Sequence, residues 1–201
     1  QACILENIEM VSFLLEKNCN FNSVDFSSNV TKSWSPFLEF LDKKRYDLPK
    51  NSIDISIKLL VDVISTGNLK NVKSLISRGF ELNKEIISQY NCISKACKKG
   101  KNDLFDFLIS YKANLNDISE SILICVNNFQ EAYHRKNKGQ NYLTLINKLL
   151  NLEDAQITDN NISKSLIQAG KNCLLDIFNV FEKNGFDFTH CPLNFNNMKT
   201  T

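Results

Sequence analysis

"GNLKNVKSLISRGFELN" occupies residues 67–83, and "GKNDLFDFLISYKANLN" occupies residues 100–116, so one pattern returns after 33 positions. Each copy opens on a glycine, continues with apolar side chains at helical spacing, breaks at a short polar turn and leaves on an apolar–polar exit ending in Asn83 or Asn116. Val72, Leu75 and Ile76 share one helical face in the first copy, as Leu104, Phe107 and Leu108 do in the second. A helix of about ten residues is marginal alone, so each must bury that face against a partner.

Two further stretches follow the same plan: "ENIEMVSFLLEKNCNFN" (6–22) and "CLLDIFNVFEKNGFDFT" (173–189). Opening and closing positions are twelve residues apart in all four: Glu6 and Asn18, Gly67 and Gly79, Gly100 and Lys112, Cys173 and Gly185. The closing position is where a helix ends on a left-handed residue, which suits glycine and asparagine and suits Lys112 less well.

A period of about 33 with two short helices per unit resembles the ankyrin-repeat family. That family's second helix and exit read G-H-x-x-V-V-x-x-L-L-x-x-G-A-D-x-N, which the quoted stretches follow in outline. The resemblance covers nearly the whole chain and implies an all-α, ankyrin-like helical-repeat solenoid of about five to six helix pairs. The T-P-L-H that opens a typical first helix is missing from most units. "SPFL" (35–38) is its nearest relative, and "NCIS" (91–94) stands at the equivalent place in the fourth unit.

Asn18, Gly79, Lys112, Glu153 and Gly185 are the expected closing positions. The step from 112 to 153 exceeds the period by the length of "HRKNKGQN" (134–141), a polar, basic insertion expected between the two helices of the fifth unit. The step from 18 to 79 fits neither one unit nor two, which makes 23–52 irregular. Within it, "SPFLEFLDKKRY" (35–46) reads as a helix capped by Ser35 with Pro36 at its first position, and "SIDISIKLLVDVIST" (52–66) reads as the first helix before Gly67. The array thus spans 1–189 and enters in the middle of a unit, as a fragment of a larger protein would. Residues 190–201 have no periodicity and form a cap or tail.

The composition narrows the function classes. Net charge is +2 with 23% charged residues, and Arg45, Arg78 and Arg135 are the only arginines, a poor basis for phosphate or base-edge contacts. No apolar run approaches the roughly 18 residues of a membrane span, and "QACILENIEM" lacks the layout of a signal peptide. Seven cysteines, an odd number with no C-x-x-C pair, sit mostly among apolar residues, as in "SILICVNN" around Cys125. They fit a reducing, cytoplasmic compartment and neither a disulfide framework nor a zinc site.

Catalytic patterns are lacking. His134 and His190 are the only histidines, and His190 and Cys191, adjacent on an extended tail, would point apart. Cys92 and Cys97 are five apart and read as core, while Asp103, Asp106, Asp117 and Glu120 fall near helix starts, where the dipole favours them. No dinucleotide-binding, P-loop or H-E-x-x-H motif occurs. No enzyme activity, cofactor or metal is therefore expected.

The resemblance implies a protein–protein interaction module. A divergent array rich in Lys, Asn and Ile is similar to the ankyrin-repeat effectors that intracellular bacteria deliver into the host cytosol; amoebal and apicomplexan ankyrin proteins share that composition. The partner is expected to be a protein, with no nucleic acid and no membrane insertion. The alternative is the docking or targeting half of an enzyme whose catalytic domain lies N-terminal to this chain. Three basic stretches are solvated loops or contact sites: "DKKR" (42–45), "KKGK" (98–101) and "HRKNK" (134–138). The expected partner-binding residues are His134, Arg135, Lys136 and Lys138 on the insertion, with the sole tryptophan, Trp34, as an apolar anchor.

Overall fold

The computed structural model describes residues 53–112, 118–133, 139–152, 159–186 and 188. Among these described residues the regular structure is entirely helical, in nine helices. The chain forms two compact units, Gln1–Ile86 and Ile87–Thr201.

In the first unit, α1 (Ile53–Thr66) and α2 (Leu69–Ser77) pack as a hairpin around Gly67. Gly67 has φ +78°, the left-handed region where a side chain is penalised, and its N–H donates to the Ile64 carbonyl at 2.9 Å. Asn68 then caps α2, its side chain accepting from the Asn71 N–H at 3.3 Å. Leu60, Val63 and Ile64 from α1 and Val72 and Leu75 from α2 are fully buried.

The helix ends as the twelve-residue spacing predicts. Gly79 has φ +86°, and its N–H donates to Ile76 at 2.9 Å while the Phe80 N–H reaches back to Leu75 at 3.2 Å. That pair of bonds is a Schellman closure, and buried Phe80 supplies the apolar contact that accompanies it. The exit asparagine also has a task. Asn83 Oδ1 accepts from the Ile86 N–H at 2.9 Å and so starts α3 (Lys84–Gln89).

The second unit contains α4 (Cys92–Lys98), α5 (Asn102–Ile109), α6 (Ser119–Tyr133), α7 (Gly139–Leu150), α8 (Asp159–Lys171) and α9 (Leu175–Lys183). Each of α4/α5, α6/α7 and α8/α9 is a packed hairpin. In addition α6 packs against both α4 and α8, and α7 against both α5 and α9. Two rows of three helices result, with Ile93, Ala96, Leu104, Leu108, Ile122, Val126, Leu145, Leu149, Leu166 and Ile177 buried.

Within a row the helices run parallel, as side-chain bonds show. Ser94 and Ser121, near the starts of α4 and α6, share a hydroxyl bond of 2.8 Å. Gln130 joins the far ends of α6 and α8 by donating to Asn172 at 2.7 Å and accepting from Gln168 at 2.8 Å. In the other row Asn102 donates to the Asn141 carbonyl at 3.2 Å, Lys148 pairs with Asp106 at 2.6 Å, and Asn151 donates to Asn184 at 2.5 Å. Asn151 and Asn184 are one period apart in sequence.

The closures recur here. Gly100, Lys112, Cys173 and Gly185 all have positive φ, at +63°, +50°, +53° and +78°. Gly100, Cys173 and Gly185 repeat the paired bonds of Gly79, with Lys101, Leu174 and Phe186 donating to Ala96, Ala169 and Phe181. At the last closure the rings of Phe181 and Phe186 meet edge-on, 5.5 Å between centroids.

Three expectations change. Ile76 and Phe107 lie half-buried on the flank of their helices, and Phe107 turns toward Tyr111 at 5.5 Å. The fully buried stripe of α5 runs instead through Leu104, Phe105 and Leu108. Part of the expected insertion is helix, because Gly139, Gln140 and Asn141 form the first turn of α7. The irregular region 23–52, the closing positions Asn18 and Glu153, and the tail 190–201 lie outside the described residues.

Candidate interaction surface

The expected partner-binding residues Trp34, His134, Arg135, Lys136 and Lys138 all lie outside the described residues. Their described neighbours define an edge of the second unit. Tyr133 ends α6 and Gly139 begins α7, and the other two hairpin turns, 99–101 and 172–174, sit alongside. The Gly100 backbone faces the Tyr142 ring, Asn102 bonds Asn141, and Gln130 bonds Asn172, so the 99–101 turn, the end of α6, the start of α7 and the 172–174 turn form one edge.

That edge is rich in lysine. Lys98, Lys99, Lys101 and Lys171 are exposed, and none of them forms an ion pair among the described residues. Exposed Asp103, Glu131 and Asp176 are interspersed. Lys98 and Lys99 stand at the C-terminal end of α4, where the helix dipole favours a cation. Lys101 stands at the N-cap of α5, where it is opposed by the dipole and offers no side-chain cap. At the matching place before α2 the chain has Asn68, which does cap.

In sequence, the α6–α7 connection carries Arg135, Lys136 and Lys138 and no carboxylate, whereas the α7–α8 connection carries Glu153 and Asp154 and no lysine or arginine. The large apolar side chains most open to solvent among the described residues are Tyr133 and Leu175, at 58% and 68% exposure. Both are on the turn edge. Leu175 was not singled out in the sequence, where it stands beside Leu174 in an apolar stretch.

Three of the four described cysteines serve packing. Cys92, Cys97 and Cys125 are free and fully buried, while Cys173 is free and exposed in its turn. Burial pushes the Cys92 thiol up to about 11, against the pull of the Lys95 charge. The Cys125 thiol is also well above its usual value, through its hydrogen bond with Cys97 and then through burial. Such thiols stay protonated and are poor nucleophiles. Among the described residues no cluster of three or more His, Cys, Asp or Glu is placed to hold a metal ion, and no helix is long and apolar enough to cross a membrane.

No protein-family model matches the chain, and no curated protein or solved structure matches it either.

Proposed function

We propose that this chain is a protein–protein interaction module, built as a divergent ankyrin-like solenoid and devoid of catalysis. One observation supports this most. The pairs Gly67/Gly79 and Gly100/Lys112 stand 33 residues apart and share left-handed backbone and the same i→i−3 closing bonds. Stacked hairpins of this kind present long edges and faces at little cost to the core, and recognition is their usual use. The buried thiols and the short, separate carboxylates fit a binding role better than a chemical one. The partner-binding residues of this reading are Trp34 in the first unit and, separately, His134, Arg135, Lys136 and Lys138 in the second.

The test is affinity capture from host-type lysate on the immobilised chain, followed by mass spectrometry and direct binding of the purified candidate. One partner that binds the purified chain saturably, and less tightly when 134–138 is deleted, is the expected result. Deletion should stop at 138, because Gly139 packs under Phe129 and Asn141 accepts from Asn102. Retention of no protein above a control column, or a turnover activity in the purified chain, overturns the proposal.

A further inference from the structure

The geometry points to a docking strip on the hairpin-turn edge that takes an acidic, apolar-anchored segment of a partner protein. The strip runs from Lys98, Lys99 and Lys101 to Lys171 and Leu175. It deepens the interaction-module reading and rests on it.

Lys101 is the informative residue. A lysine at an N-cap forgoes the side-chain bond that Asn68 makes in the equivalent turn and adds positive charge at the positive end of a helix. Local stability does not select it, and a residue that breaks a local rule without a local gain is a candidate for function. Together with exposed Lys98 and Lys99 it places three ammonium groups around one turn, none of them in an ion pair among the described residues.

The chemistry of the edge selects the partner class. Lysine attracts carboxylates as a flexible point charge, whereas phosphate recognition favours the forked arginine, and the cations of the strip, Lys98, Lys99, Lys101 and Lys171, are all lysines. Asp103, Glu131 and Asp176 on the same edge would repel a uniform polyanion but tolerate a chain that mixes acidic and neutral residues. Leu175, 68% exposed at the start of α9, offers an apolar anchor beside the charges. Two helix spacings separate the α4/α5 turn from the α8/α9 turn, about 20 Å, which about six or seven extended residues span.

The probe is a fluorescent twelve-residue peptide with Glu and Asp over most of its length and Leu-Phe near one end. Its controls are the same peptide with Lys for each acid, a twelve-residue oligothymidylate and vesicles containing phosphatidylserine. The acidic peptide should bind the full chain in preference to all three and weaken as salt rises. K98E/K99E/K101E should weaken it about tenfold or more, K98Q/K99Q/K101Q by an intermediate factor, and L175A by about threefold. The glutamine variant keeps the test valid if the charge-reversed one fails to fold. K112E/K183E, away from the turn edge, should leave binding unchanged. Equal binding of the acidic and basic peptides, tighter binding of oligothymidylate or vesicles, or equal loss in K112E/K183E would overturn the strip. A captured partner that still binds K98E/K99E/K101E at full strength overturns the strip and leaves the interaction module standing, whereas capture of no protein by the unmodified chain removes both.

Discussion

The Tyr142 ring abuts Gly100: a Cβ added to Gly100 would come within 3.0 Å of the ring carbon Cζ and 3.2 Å of the hydroxyl. The same glycine has φ +63°, so the turn between α4 and α5 requires it twice, once for the backbone and once for the neighbouring hairpin. Gly185 has φ +78° but nothing within 4 Å of the added atom.

Comparing the two glycines separates these causes. Gly185→Ala should cost about 1 kcal/mol, the strain of a left-handed residue alone. Gly100→Ala should cost about 1 kcal/mol more, because the Tyr142 ring must also move. Urea unfolding of both variants, alone and with Tyr142→Ala, gives the coupling directly. Equal losses at 100 and 185 would show that the ring contact does not demand glycine.

Lys112 offers the opposite experiment. It closes α5 with φ +50°, the conformation that glycine supplies at 79 and 185. Lys112→Gly should therefore stabilise the chain by about 0.5–1 kcal/mol, since relief of strain exceeds the added freedom of the unfolded state. A lower midpoint in urea would mean that the lysine side chain supports the closure in a way its exposure does not suggest.

These closures explain how far the sequence carried the fold. Gly79, Lys112 and Gly185 were found as closing positions by spacing, because a helix end that needs a left-handed residue leaves a mark in the residue types. Gly67, Gly100 and Cys173 were read only as openings, and their left-handed backbone, which closes the preceding helix, was missed. Phe105 was not found. A strict i, i+3, i+4 template chose Phe107 beside Leu104 and Leu108, whereas the helix buries a broader face through Leu104 and Phe105. The end of the expected insertion was misplaced because "GQN" is polar and opens on glycine, features of a loop, yet Gly139 is needed where α7 starts. An added Cβ there would come within 2.8 Å of the Phe129 ring. The sequence marked "KKGK" (98–101) as a basic stretch, but Lys171 and Leu175 belong to a different turn, and only pairing such as Asn102 with Asn141 and Gln130 with Asn172 places the two turns on one edge.

Stability should fall in alkali. The Cys92 thiol titrates at about 11 when folded, and Cys125 lies well above its usual value, while unfolded thiols lose their protons near 8.5–9. Between about 9 and 11 the unfolded state therefore holds fewer protons than the folded one, and stability is lost as pH rises; below that window it is fully present. Tyr142, raised chiefly by burial, contributes in the same direction above its ordinary value of 10.0. Melting curves from pH 7 to 10.5 should show the decline, and Cys92→Ala should flatten it. An unchanged slope in that variant would mean that the thiol is not the group responsible.

The core and the edge should respond differently to truncation. Leu108→Ala and Leu166→Ala each remove a fully buried side chain and should cost about 2–5 kcal/mol. Leu175→Ala, at an open position, should change stability by less than about 0.5 kcal/mol while weakening the acidic peptide. A large stability loss at 175 would assign the leucine to packing and withdraw it from the strip.

The two seams between consecutive hairpins both carry neutral hydrogen bonds, and among the described residues they differ in one ion pair. Where α4/α5 meets α6/α7 the links include the Lys148–Asp106 ion pair, both of whose side chains remain partly open to water. Where α6/α7 meets α8/α9 they are neutral amides: Gln130 with Gln168 and Asn172, and Asn184 with Asn147 and Asn151. Dissolved ions screen the first kind of link and barely touch the second. Ionic strength thus acts on one seam only: salt weakens the Lys148–Asp106 link by the small amount such an exposed pair contributes, so any salt-driven flexing of this unit should concentrate between its first and second hairpins.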